Sequence, residues 1–150
     1  MSLSQRTQYG LRALFELAKS YGRGPIKIAE VAAAQGIPPR FLEVILGELK
    51  QAGFVESRRG AEGGYMLARR PATLAVGEVI RFLEGPLGPV ACVQHPAAGS
   101  GCARHAECVF LGLWERSRRA VAEVYDSTTL ADLIEEEQRM RTGYVATYAI

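Results

Sequence analysis

A glycine-rich stretch at residues 59–64 restricts the fold of this chain more than any other feature of its sequence. It separates two short patterns typical of β-strands, 54–58 and 65–68, and its glycines suit the tight turn of a hairpin. Four arginines flank the turn: Arg58, Arg59, Arg69 and Arg70. Arginines at a hairpin tip can enter a narrow minor groove of DNA, where the negative potential is enhanced.

Helical patterns precede this hairpin. Apolar spacing predicts a first helix over 5–20 and a short second helix over Ile28–Gln35, with Gly36 left-handed just beyond its end. Pro38 or Pro39 then opens a third helix, which ends at Gly53. Two helices joined by a tight turn and followed by a hairpin predict a winged helix-turn-helix, and hence a mainly α fold with one small β-hairpin.

The second half of the chain predicts more helices. One spans Val76–Glu84, a long one spans about 106–126, and a last one near 130–141 is capped by the residues around Thr128. The long helix carries an apolar stripe made of Val109, Phe110, Leu113, Trp114, Val121 and Val124. We expect this stripe to pack on its twin in a second subunit; the alternative is packing on the chain's own first helix. The expected organisation is a DNA-binding domain at 1–84, a cysteine-rich loop at 85–104 and a helical dimerisation region at 105–150.

Charge is distributed unevenly along the chain. Residues 1–70 carry 11 Lys/Arg against 6 Asp/Glu, whereas residues 71–150 carry 7 against 10. This asymmetry favours a polyanionic partner for the first half. No apolar run of about 18 residues is present and the N-terminus has no apolar signal region, so we expect no membrane partner and a cytoplasmic location.

Three cysteines, Cys92, Cys102 and Cys108, lie within one Gly/Pro-rich stretch of a chain that has no others. An odd number cannot form a fully paired disulfide framework. Thiolate sulfur suits iron–sulfur clusters, zinc or copper(I). The intervals of nine and five residues are wider than the two-residue gaps typical of zinc fingers, and they favour a cluster.

Several segments together resemble the Rrf2 family of bacterial winged-helix repressors. They are Leu3–Leu14, Ile28–Val31, Ile37–Glu43, the wing Arg59–Tyr65 and Val76–Ile80. The resemblance implies a homodimer on a palindromic promoter site in double-stranded DNA. It also implies that Arg40, Phe41 and Glu43 face the major groove and that Arg59 enters the minor groove, with Arg58 and Gly60 beside it.

The resemblance further implies that Cys92, Cys102 and Cys108 hold an iron–sulfur cluster, of two or four irons, near the junction with the dimerisation helix. The fourth ligand stays open. Where some relatives have a histidine, this chain has Leu111, and where others have a carboxylate it has Gln8. His105 and Glu107 within the cysteine stretch are the other candidates, and His95 lies near Cys92.

The sequence therefore predicts a DNA-binding transcriptional regulator, a repressor by resemblance, that senses iron–sulfur, redox or nitric-oxide status through a cluster. Two alternatives stay open: a metal-free regulator whose thiols oxidise reversibly, and a helical scaffold that binds a partner protein without DNA. We do not expect an enzyme, because His95 and His105 have no nucleophile–base–orienter arrangement around them.

Overall fold

The computed structural model describes residues 2–96 and 102–148. In chain order its elements are α1 (Gln5–Lys19), α2 (Ile28–Gln35), α3 (Pro39–Gln51), β1 (Val55–Arg58), β2 (Gly64–Leu67), a 3₁₀ turn (Pro71–Thr73), α4 (Val76–Glu84), α5 (Ala91–Gln94), a 3₁₀ turn (His105–Glu107), α6 (Leu111–Ser127) and α7 (Leu130–Tyr148). The predicted class, mainly α with one small hairpin, is confirmed. Within the described residues, no helix combines the length and the apolarity that spanning a membrane requires.

Local chemistry explains the helix boundaries of the first half. The Ser4 hydroxyl accepts a hydrogen bond from the Thr7 backbone N–H at 3.2 Å and so caps α1. Gly36 ends α2 in the left-handed conformation, at φ 60°. Pro39 opens α3, where its missing N–H leaves no helical hydrogen bond unmade.

The main core lies between α1, α2, α3, the hairpin and the start of α7. Leu14, Leu42, Leu46 and Leu49 are all fully buried there, and so is Leu130 at the first position of α7. Backbone hydrogen bonds fix that start, because Leu130 donates to Leu74 (3.0 Å). The last helix is therefore anchored in the core of the first half.

The wing is an antiparallel pair in which Val55 lies opposite Leu67 and Arg58 lies opposite Gly64. A bridge to the segment before α2 anchors it, since Ile26 and Tyr65 exchange two backbone hydrogen bonds of 2.8 Å each. At the tip, the Gly63 N–H donates to the Gly60 carbonyl at 3.0 Å.

Two predicted boundaries in the second half are wrong. The long helix begins at Leu111 rather than 106, because the chain turns through Val109 and Phe110 before α6 starts. The last helix continues to Tyr148 rather than ending near 141. The stretch predicted as a loop also contains a short helix, α5.

Helix α6 packs against α4 and α5, whereas α7 packs against α1. Nevertheless no described side chain of α6 is fully buried. Leu113 and Val124 are exposed, as are Val109 and Phe110 in the turn before the helix. Part of the predicted apolar stripe is thus uncovered in the single chain.

Candidate nucleic-acid interface and cysteine segment

Helix α3 places three predicted DNA-contacting residues at the surface. Arg40, Phe41 and Glu43 are all exposed in its first turns. The other side of the helix enters the core through four buried residues, Leu42, Ile45, Leu46 and Leu49. Burial of that side fixes the rotation of the helix, so that these three side chains point away from the protein.

The wing presents further cationic groups. Arg58 ends β1, and Arg58, Arg59 and Gly60 are all exposed, with Gly60 at φ 103°. Arg69 differs, because it lies at the far end of the hairpin, donates to Glu78 at 2.8 Å and stacks on the Phe54 ring. The tip itself therefore offers Arg58 and Arg59.

Arg6 of α1 connects α3 to α4. Its guanidinium donates to the Glu48 carboxylate of α3 (Nε to Oε2, 3.1 Å) and to the Leu83 carbonyl of α4 (2.6 Å). This role of Arg6 is not predicted from the sequence. No local pattern identifies Arg6, because both of its partners are distant in the chain.

The end of α4 is tied to α1 by a second set of contacts. The Glu84 carboxylate accepts from the Thr7 hydroxyl (2.5 Å), the Ser4 hydroxyl (2.7 Å) and the Ser4 N–H (3.1 Å). The hydrogen bond from Thr7, followed by those from Ser4, holds the pKa of Glu84 below its ordinary value. The first turn of α1 thus contacts both α3 and the end of α4, from which the chain continues towards the cysteines.

The cysteine segment, Cys92–Cys108, runs from α5 to the start of α6. Cys92 is half-buried on α5, Cys108 is half-buried just before α6, and Cys102 is exposed. Residues 97–101, between the first two thiols, lie outside the described residues. Helices α5 and α6 pack together, which brings the elements next to Cys92 and Cys108 into contact.

The cysteine segment has the donor atoms that a metal cluster needs, but its described part does not group them. Three thiols are the donor type that an iron–sulfur cluster uses. Across 2–96 and 102–148, however, no three His, Cys, Asp or Glu side chains are grouped closely enough to hold a metal ion. The donor chemistry fits an iron–sulfur cluster, but the described part of the chain does not assemble the ligands.

The candidates for a fourth ligand are dispersed. His105 and Glu107 are exposed on a 3₁₀ turn between the second and third cysteines, and His95 is exposed at the end of α5. Gln8 lies on α1, where its amide Nε2 donates to the Leu3 carbonyl at 2.9 Å. That bond uses an amide N–H, and the amide oxygen is the acceptor atom through which Gln8 would ligate a metal.

Comparisons with known proteins all find transcriptional regulators. Residues 3–136 match the family Rrf2, described as an iron-dependent transcriptional regulator. The HTH-type transcriptional regulator CymR of Bacillus subtilis is 40% identical over 135 residues, which cover 89% of this chain and 89% of CymR.

Solved structures match over the same length. The structure of B. subtilis CymR, described as the global cysteine regulator, has a TM-score of 0.74 at 39% identity and covers 91% of this chain and 98% of its own. T. potens IscR has a TM-score of 0.74 at 36% identity, covering 91% and 88%. The oxidised form of Staphylococcus aureus CymR has a TM-score of 0.69 at 34% identity, covering 89% and 95%.

Proposed function

Because the chain belongs to the Rrf2 family of transcriptional regulators, we propose that it binds a palindromic promoter site as a homodimer and that its three cysteines set the strength of this binding. The family resemblance found in the sequence is confirmed, and so is the expectation that the protein is not an enzyme, since its relatives are transcriptional regulators. A promoter-binding protein of this kind works in the cytoplasm.

The exposed face of α3, followed directly by an arginine-tipped wing, is the observation that carries the proposal. Arg40 can donate two hydrogen bonds to a guanine edge, and Glu43 can accept from a cytosine amino group in the major groove. Arg59 enters the minor groove, with Arg58 and Gly60 at the same tip. Helix α3 and the wing therefore read adjacent grooves.

The dimer uses α6. Its uncovered apolar residues, Leu113 and Val124, are 43% and 61% exposed, and Val109 before the helix is 86% exposed. Burying such side chains against a second copy is favourable at about 25 cal/mol per Å² of apolar surface. A two-fold dimer requires a two-fold symmetric site, which is why the operator is palindromic.

Three thiols on one segment provide the sensing chemistry. Cys92, Cys102 and Cys108 would hold an iron–sulfur cluster of two or four irons, with His105, Glu107 or Gln8 as the fourth ligand. Bound, the cluster would supply charge and a crosslink between three chain positions. The description of the family as iron-dependent supports this reading.

A metal-free thiol switch is the second candidate. It is favoured by the absence, among the described residues, of a side-chain group that could hold a metal ion, by the exposure of Cys102, and by the packing of α5, which carries Cys92, against α6, which follows Cys108. Two thiols and one peroxide would give a disulfide and two waters, so that Cys92 becomes joined to Cys102 or Cys108. The relatives include a regulator described by its link to cysteine and one solved in an oxidised form, which supports this candidate. The scaffold alternative predicts no DNA binding in any redox state.

Contacts at the end of α4 connect the cysteine segment to α3. The segment follows Glu84, which Ser4 and Thr7 hold, and Arg6 links the Leu83 carbonyl to Glu48 of the recognition helix. A change in the cysteines alters DNA affinity only if it favours one arrangement of these contacts over another.

Sequence-specific DNA binding is tested by selecting duplexes from a random library with the full-length protein. The affinity of the protein for the selected site is then measured by titration. Arg59→Ala removes one arginine from each subunit of the dimer, so it should weaken binding about tenfold or more and reduce the salt dependence by about two phosphate equivalents. Arg139→Ala, an exposed arginine on α7, is the matched control and should bind normally. Failure to select any duplex in any redox state would favour the scaffold.

The sensing chemistry is tested on protein made and kept without oxygen. Visible absorption together with iron and sulfide, both lost in Cys102→Ala, would support the cluster. Colourless wild-type protein whose DNA binding responds to peroxide would support the thiol switch instead.

A further inference from the structure

The exposed face of α3 has an apolar centre. At 100° per residue, Arg40, Val44 and Gly47 follow one line along the helix, opposite the buried leucines. Val44 is 62% exposed and Phe41, beside it, is 54% exposed. Together they line an open groove of about 530 Å³ against Gln5, Arg6 and Tyr9. Most of a valine and half of a phenylalanine are thus left uncovered at the middle of the recognition helix.

Gly47, one turn beyond Val44, is not explained by the fold. Its backbone is helical without a positive φ, and a Cβ added there would meet nothing within 4 Å. A glycine inside a helix is unfavourable relative to alanine. The absence of a side chain keeps the surface shallow beside Val44, so that another molecule can approach the helix backbone closely.

We propose that Val44, together with Phe41, determines operator specificity by contacting thymine methyl groups, and that Gly47 lets the base edges come close enough. The inference rests on the proposed DNA binding. The thymine 5-methyl group is the apolar group that base edges display in the major groove. Arg40 on the same line, with the exposed Arg58 and Arg59 of the wing, matches the charge of a duplex rather than that of an apolar protein partner.

The test replaces single thymines of the selected operator by uracil, which removes the methyl group and keeps the hydrogen-bonding edge. For wild-type protein kept anaerobic, uracil at one position of a half-site should weaken operator binding about fourfold. This is the change in Kd expected when one buried methyl group is removed. Val44→Ala removes the contact from both subunits, so it should bind the thymine operator about as weakly as wild type binds an operator with uracil at that position in both half-sites, and it should no longer distinguish the two bases there.

Gly47→Ala supplies a readout that misfolding cannot imitate. Its melting temperature should rise above that of wild type, because alanine favours the helix, while its operator affinity falls at least fivefold. Glu43→Gln serves as a comparison, because it should change affinity and leave the thymine-to-uracil ratio intact.

Two results would overturn the inference while DNA binding stands. One is a Val44→Ala variant that keeps the wild-type ratio of thymine to uracil affinities at every operator position, and the other is a Gly47→Ala variant with wild-type operator affinity. Either would show that the operator does not contact this face of α3 in the way proposed. If wild-type protein selects no duplex at all, the proposed function fails first, and this inference fails with it.

Discussion

Alanine at Gly64 should detach the wing from the body of the protein. Gly64 has φ 150°, a conformation that residues with a side chain rarely adopt. Its missing Cβ position is filled by the carbonyl group of Ile26, and the backbone nitrogen of Lys27 lies 2.9 Å away. These are backbone atoms, so a rotamer change cannot make room for the methyl group.

The expected loss in the free energy of unfolding follows from the contacts that the methyl group must break. Room for the methyl group requires breaking the Ile26–Tyr65 bridge, whose two hydrogen bonds of 2.8 Å contribute about 1 kcal/mol each. Backbone strain at the positive φ adds about 1–3 kcal/mol. Gly64→Ala should therefore lower the free energy of unfolding by about 3–5 kcal/mol. Gly60→Ala is the matched control, because Gly60 also has a positive φ (103°) but a Cβ there meets nothing within 4 Å; only the strain applies.

The assay is urea unfolding followed by circular dichroism, together with titration of the selected operator. Gly64→Ala should unfold at lower urea than Gly60→Ala, by the equivalent of about 2 kcal/mol, and should lose the contribution of the wing to binding. Equal unfolding free energies for the two variants would refute the packing argument for the wing.

Three further outcomes are expected. Thr7→Val removes the hydroxyl that donates to Glu84, and should cost about 1 kcal/mol at pH 7. Because the pKa of Glu84 is lowered in the folded protein, this stabilisation is present above the unfolded pKa and disappears as the pH falls through the folded one, so the cost should shrink in urea titrations at progressively more acidic pH. Leu130→Ala should cost about 2–5 kcal/mol in the same assay, whereas Leu133→Ala on the exposed side of α7 should cost less than about 1 kcal/mol. Val124→Asp should convert the proposed dimer to a folded monomer in sedimentation velocity, and an unchanged dimer would exclude this face of α6 from the interface.

Elements bounded by glycine and proline could be predicted from the sequence almost to the residue. Gly36 and Gly85 end α2 and α4, because glycine readily adopts the positive φ found at both positions. Pro39 begins α3, because its ring fixes φ at a helical value. The start of α6 could not be predicted, since Val109 and Phe110 continue its apolar spacing while the chain turns there. Periodicity records which residues are apolar and does not record where hydrogen bonding begins.

Those parts of the candidate site that consist of exposed side chains on a single helix or hairpin could be predicted from the sequence. Arg40, Glu43 and Arg59 are exposed, as a recognition helix and a wing tip require. The links made by Arg6 join it to residues 42 and 77 positions away in the chain. Leu130 shares its core with residues of the first half that are farther away still, such as Leu14. The spacing of the thiols likewise shows which donors are present and leaves their assembly open.

The most direct measurement compares operator affinity across redox states in two proteins. Wild-type protein prepared without oxygen is titrated with operator DNA before and after exposure to oxygen, nitric oxide or peroxide. The variant C92A/C102A/C108A is treated identically. Wild-type affinity should change about fivefold or more in at least one treatment, and the variant should show the same affinity throughout. A wild-type affinity that no treatment alters, or an equal change in the variant, would contradict control of DNA binding by the cysteines.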